Sequence, residues 1–212
     1  MEALREAVAP DQTDEQLMAR FQRGDAPAFE VLMRRHRTPL HGFLCRLLRD
    51  RARAEDLTQE AFLRVIQGSA GWAPRALFRT WLFTIARNLA ADEGRRRAFR
   101  EALPLDAPGT GGAPHQPASE ARAPDEAAGD ALVRPLLEAA LAALPLEQRE
   151  VFLLREHAGL SFPEIAEATG VNENTVKSRM RYALTGLRDR LAAAGVDPGA
   201  PAGAAREGGA VP

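Results

Sequence analysis

The chain has 212 residues, 45% apolar and only 6% aromatic; such a mix, rich in Ala, Leu and Arg, can build real cores, favours helices over sheets and contains no long apolar run to span a membrane. A formal net charge of −1 excludes a uniformly basic nucleic-acid binder, yet it hides segregation: residues 1–100 are basic by five charges, 101–130 acidic by five, and 131–192 balanced. The acidic start MEALREAVAPDQTDEQL lacks the apolar stretch of a secretory signal, and a single cysteine cannot close an internal disulfide, so the expected compartment is the cytoplasm.

In chain order, residues 1–13 read as an extension, and Thr13 can cap a first helix over DEQLMARFQRG that ends at Gly24. AFEVLMRRHRTPLHGFLCRLLRD continues as a helix with an internal Pro39 able to bend it. RARAEDLTQEAFLRVIQG follows, with Leu57, Ala61, Phe62 and Val65 at helical spacing. Gly68 to Pro74 read as a loop, and RTWLFTIARNLAADEGRRR then sets Trp81, Leu82, Ile85, Ala86 and Leu89 on one stripe. These elements form a first domain over 14–102.

At residue 103 the composition changes. LPLDAPGTGGAPHQPASEARAPDEAAGD (103–130) holds five prolines and four glycines without periodicity, the pattern of a flexible acidic linker. A second helical domain covers 131–192, with helices at 131–144, 146–157, near 162–169 and near 173–192. The segment 193–212, rich in Gly and Ala, reads as a disordered tail. The fold class expected is all-α: two small helical domains joined by a flexible linker, the second containing a helix-turn-helix.

That motif lies in SFPEIAEATGVNENTVKSRMRYALTGLRDRL (161–191). A short amphipathic helix ends at Gly170, which can take positive φ, and Asn172 can cap the next helix. Advancing 100° per residue puts Val176, Met180, Ala183, Leu184, Leu187 and Leu191 on an inward face. Asn174, Lys177, Ser178, Arg181 and Thr185 fall on or beside the opposite face, with types suited to base edges and phosphates, and the DNA-binding candidates on this helix are Asn174, Thr175, Lys177, Ser178, Arg179 and Arg181. Glu173 either reads a cytosine edge or complements the helix dipole.

Catalytic motifs are not evident. There is no GxxxxGK[ST] loop, the linker GTGG follows no strand, and His36, His41, His115 and His157 do not fall at metal-ligand spacing. No cofactor, metal or catalytic residue is expected, and Cys45 reads as a small buried hydrophobe. His157, before a glycine, suits a helix end, where it would complement the dipole.

GDAPAFEVLMRRH (24–36), AEDLTQEAFLRV (54–65), TWLFTIARNLAADEGRRR (80–97) and the helix-turn-helix, in that order, resemble the extracytoplasmic-function (ECF) RNA polymerase sigma factors of the sigma-70 family. The resemblance implies that Asp56, Gln59 and Glu60 contact the β′ clamp helices of bacterial core polymerase. It implies that the 80–97 stretch recognises and melts the minus-ten promoter sequence, with Arg79, Arg87, Asn88, Arg95 and Arg96 available to DNA. The loop at about 67–78 then helps to form a base pocket, with Trp72 and Phe78 as stacking candidates. It implies that 131–192 reads the minus-thirty-five element and approaches the β flap, and that an anti-sigma factor is a further partner. Phe162 and Pro163 stand where the family more often starts this helix with Ser or Thr. Charge alone suggests that the acidic linker mimics nucleic acid in the polymerase channel. The alternative is a helix-turn-helix transcriptional regulator that does not replace the sigma subunit, which would call for a sensory domain with strands.

Overall fold

In the computed structural model, residues 12–74, 77–102 and 127–196 are described, the last two of the second segment and the first six of the third as backbone only. Among the described residues eight α-helices follow one another: α1 Asp14–Gln22, α2 Ala26–Leu48, α3 Arg51–Gly68, α4 Phe78–Ala102, α5 Ala127–Ala142, α6 Leu146–Glu156, α7 Phe162–Thr169 and α8 Glu173–Ala193. Among the described residues there is no strand, and no helix is long and apolar enough to cross a membrane. The linker acids Asp106, Glu120, Asp125 and Glu126, and the tail beyond 196, lie outside the described residues.

Local chemistry sets the helix ends. Thr13 accepts from the Gln16 N–H while the Gln16 side chain returns to the Thr13 N–H, a reciprocal cap that satisfies two orphan donors. Gly24, at φ +94°, makes the turn into α2. α2 runs unbroken through Pro39 for 23 residues. Asp50 caps α3 by accepting from the Arg53 N–H. The expected loop after α3 contains a single 3₁₀ turn, Ser69–Gly71. α5 begins at Ala127, four residues before the helix expected at 131, because Ala127 and Ala128 favour helix despite the Gly129 that suggested a linker.

The first domain packs α1, α3 and α4 around α2, burying Leu17, Leu32, Leu40, Phe43, Leu44, Leu57, Phe62, Leu82 and Phe83. Phe43 and Phe83 meet edge to face, as aromatic quadrupoles prefer. The His36 ring approaches the Asp14 carboxylate at 2.6 Å. Burial would raise the Asp14 pKa, but hydrogen bonds and charge from His36 and Arg35 outweigh it and hold the carboxyl below its usual value.

The second domain is built differently. Its separate core holds only Ala140, Leu141, Leu144, Ala183 and Leu187, where α5 crosses α8. Gly186 permits the crossing, since a Cβ there would sit 3.0 Å from Leu144 Cδ2. The other apolar side chains of this domain, Val151, Leu153, Leu154, Ala158, Leu160, Ile165, Val176 and Met180, join the core cluster of the first domain. Contacts of α7 with α4, and of α6 with α2, make this one continuous apolar body.

Candidate nucleic-acid interface

α7 and α8 form the expected helix-turn-helix. Ser161 caps α7 in a reciprocal box with Glu164. The helix start expected from Phe162 and Pro163 therefore has its Ser one position earlier, with Pro163 in the first turn, where a missing N–H costs nothing. Gly170 closes α7 at φ +70°, and Asn172 Oδ1 accepts from the Thr175 N–H at 2.8 Å and from its hydroxyl at 3.0 Å. The turn and cap thus follow from residue type, and they set the direction of α8.

Burial sorts α8 nearly as its periodicity requires. Val176, Met180, Ala183 and Leu187 are buried; Asn174, Lys177 and Arg181 are exposed; Thr175, Ser178 and Arg179 are half-buried. Leu184, expected to face inward, is 46% exposed, because the partner helices cover a narrower arc of α8 than its apolar stripe spans. Glu173 lies 2.6 Å from Lys177 Nζ, one turn on, so its nearest partner is that ammonium. Asn172, Asn174, Thr175, Ser178, Arg179 and Tyr182 line a shallow concavity at the N-terminal end of α8. Tyr182 was not singled out from sequence. It is 55% exposed, and the Arg181 guanidinium lies 5.2 Å from its ring centroid. Its place on the same arc as Ser178 is the signal that helical geometry offered.

α4 carries the five other basic and polar candidates, and here the structure divides them. Asn88, Arg95 and Arg96 are exposed; Arg95 pairs with Asp92 one turn earlier. Arg79 and Arg87 instead face the second domain. Arg79 donates to the Gly159 carbonyl at 3.0 Å, and Arg87 Nε lies 2.9 Å from Glu150. Between them the Thr80 hydroxyl donates to Glu164. Burial works to raise the Glu164 pKa, yet hydrogen bonds from Ser161 and Thr80, with Arg79 nearby, hold it below the ordinary value.

Phe78, a stacking candidate, is fully buried against His36 and Trp81, so it is core rather than a base platform. The start of α4 points it inward, and the Phe78 N–H is satisfied by Glu15 at 3.1 Å. Trp72 is half-buried against Trp81, with ring centroids 6.3 Å apart.

The third expected surface is on α3. Asp56 and Gln59 are exposed and Glu60 half-buried, while Leu57 and Ala61 pack inward. Asp56 pairs with Arg53 and Glu60 with Arg64, both within the helix. Beside these acids, Leu63 and Ile66 are 52% and 42% exposed. Sequence reasoning missed both, since an apolar residue in a helical pattern reads as core; exposed neighbours of this kind mark a partner surface when they cluster.

Cys45 is half-buried rather than enclosed, with its sulfur 3.4 Å from His41 Nε2. His157 lies between α6 and the first domain, and burial, with Arg46 nearby, pushes its pKa down to about 4. It is therefore neutral at pH 7 and does not complement the α6 dipole as expected; desolvation wins. Among the described residues no three His, Cys, Asp or Glu side chains converge as a metal site would need.

Two family descriptions match the chain, Sigma-70 region 2 over residues 32–100 and Sigma-70 region 4 over 134–185. The ECF RNA polymerase sigma factor SigL of Mycobacterium tuberculosis is 39% identical over 179 residues, covering 82% of this chain and 96% of SigL. The chain belongs to the ECF sigma factors. The RNA polymerase sigma factor CarQ of Myxococcus xanthus is 37% identical over 174 residues, covering 82% of this chain and 95% of CarQ. Among solved structures, CnrH in complex with the cytosolic domain of CnrY aligns with a TM-score of 0.61 at 25% identity, over 86% of this chain and 99% of that one. In this sigma factor, most of α2, α3 and most of α4 fall in the region 2 match, and the region 4 match runs from within α5 to within α8.

Proposed function

We propose a division of labour within this sigma factor. α3 docks on the β′ clamp helices of core polymerase through Asp56, Gln59 and Glu60, with Leu63 and Ile66 adding apolar contact beside the acids. α4 presents the exposed Asn88, Arg95 and Arg96 to the minus-ten region, following the separated strand by charge and capturing a base rather than breaking a bond, and Arg79 and Arg87 join them where the second domain does not hold them. α8 reads the minus-thirty-five element through Asn174, Thr175, Lys177, Ser178, Arg179 and Arg181, with Tyr182 at the edge of that surface, while α5 and α6 approach the β flap. The chain acts by binding, without catalysis or cofactor, in the cytoplasm. An anti-sigma protein is its antagonist; the structurally similar CnrH was solved in complex with the cytosolic domain of CnrY.

The observation that carries this is the two-sided α8: a buried Val176, Met180, Ala183 and Leu187 stripe opposite an open arc of Asn174, Lys177 and Arg181, on a helix whose start is capped by Asn172. Run-off transcription with core polymerase on a library of genomic fragments tests it. New discrete starts that require the protein support a sigma factor. DNA binding without new starts would favour a helix-turn-helix regulator that leaves the sigma subunit in place.

A further inference from the structure

We propose that Gln22 and Glu15 on α1 are positioning residues for promoter opening: they fix Trp72 and the first turn of α4 where an extruded base is captured. This rests on the reading of the loop before α4 as part of a base pocket, and it adds the residues that hold that loop in place.

Two long-range contacts join α1 to the two ends of the loop. Gln22 is the last residue of α1, and its Nε2 donates to the Ser69 carbonyl at 2.7 Å and to the Trp72 carbonyl at 2.9 Å. A primary amide carries two N–H donors, so one side chain can hold both acceptors. Near the other end of α1, Glu15 Oε1 accepts from the Phe78 N–H at 3.1 Å. Phe78 is the first residue of α4, and its N–H has no acceptor within that helix. An acceptor for the start of α4 thus comes from a carboxylate 63 positions away in sequence. Glu15 and Gln22 are two helical turns apart on α1, so they share one face about 10 Å apart.

Between these anchors stand the two tryptophans of the chain. The Trp72 and Trp81 ring centroids are 6.3 Å apart, and Phe78 meets Trp81 edge to face at 6.2 Å. Gly68 lets Trp81 come close, since a Cβ there would lie 3.2 Å from Trp81 Cζ2. The Trp72 N–H closes its turn onto the Ser69 carbonyl at 3.1 Å. Trp72 is half-buried, which leaves part of the indole open to a base.

Gln22 contributes position more than stability. It is exposed, and hydrogen bonds at the surface exchange with water at little net gain. A ring fixed beforehand spares a stacking base the cost of ordering the loop. α1 also precedes the Sigma-70 region 2 match, which starts at residue 32, so the matched region takes this support from outside itself.

The test uses the full chain, free and in holoenzyme. Gln22→Met keeps the side-chain length and removes both donors, whereas Gln22→Lys keeps a donor. In the free chain both tryptophans belong to this site, so intrinsic fluorescence reads it directly. Gln22→Met should raise acrylamide quenching about twofold by loosening the loop locally. Gln22→Lys should stay near wild type, and the melting midpoint by circular dichroism should be unchanged in both. In holoenzyme, a promoter fragment that gives a discrete run-off start is scanned with single abasic sites along its minus-ten non-template strand. Wild type should lose about tenfold in binding at the captured position, a factor within the range of one base–aromatic stack. Gln22→Met should lose at most about twofold there, because the stack is already weakened, and Glu15→Leu should fall between. Wild-type quenching in Gln22→Met would overturn the positioning of Trp72. A full abasic penalty in Gln22→Met and Glu15→Leu would overturn their part in base capture. A wild type without an abasic penalty at any position would sink the base-pocket reading, and this proposal with it, while the run-off start would still stand for the sigma-factor function.

Discussion

α4 and α8 look alike as sequences: each has an apolar stripe of Leu, Ala and larger residues and a polar arc holding Arg and Asn. In the fold they differ. The N-terminal arc of α8 faces solvent, and its charges pair at most with neighbours on the same helix, as Lys177 does with Glu173. α4 has its arc divided, with Asn88, Arg95 and Arg96 outside and Arg79 and Arg87 against the second domain. Amphipathic periodicity thus says which residues leave the local core. It does not say whether another domain waits for them.

The two cores repeat the contrast. The first domain closes around α2 with its own aromatic contacts, whereas the second keeps five buried residues to itself and lends the rest to the shared body. Below about 70 residues a domain rarely supplies a large stability from one core, and region 4 here gains burial by leaning on region 2.

Several substitutions would break or sharpen these comparisons. The largest effect is expected from Asp56→Lys combined with Glu60→Lys, which should abolish run-off initiation and remove core-polymerase binding. The fold should survive, since exposed ion pairs such as those to Arg53 and Arg64 contribute at most about 1 kcal/mol; circular dichroism checks that. Next, Leu154→Ala, a fully buried position in the shared body, should cost about 2–5 kcal/mol in denaturant unfolding. It should lower the unfolding midpoint of α4 as well as α6 when followed by hydrogen exchange. Leu187→Ala, in the small separate core, should leave α4 protection unchanged.

Arg181→Ala should weaken use of one minus-thirty-five position by about 1–3 kcal/mol if the contact is bidentate to a base; a uniform loss across promoter variants would make it a phosphate contact. Asn172→Ala, which removes the α8 cap, should destabilise by about 1 kcal/mol and lower promoter affinity without changing base preference.

The effect that is smallest at neutral pH, and grows in acid, belongs to His157. His157 is pushed down to about 4 from 6.5 when folded, so between these values the unfolded chain takes up a proton that the folded chain refuses. The stability it contributes is full above pH 6.5 and is lost as pH falls toward 4. Thermal melts from pH 7.5 to 4.5 should fall less steeply for His157→Gln than for wild type.

Much of this architecture was legible because it depends on neighbours in the chain. Thr13, Gly24, Gly170 and Asn172 act within four residues of themselves, and each ends or starts a helix as its type requires. The helix-turn-helix and the α3 acid face needed only local spacing. Phe78, Leu63 and Leu184 were not legible in the same way. Apolar residues at helical spacing can face a core or a partner, and only the positions of the neighbouring helices decide which.

By itself, then, the sequence determined an all-helical chain, the register and caps of its helices, the buried stripe and polar arc of α8 and the sigma-factor resemblance. Tertiary structure alone decided that Arg79 and Arg87 meet Gly159 and Glu150, that His157 stays neutral, and that regions 2 and 4 share one core. The physical reason is range. Capping and periodicity are written within a turn or two of chain, whereas desolvation and ion pairing between residues more than sixty positions apart depend on how two separately patterned surfaces meet.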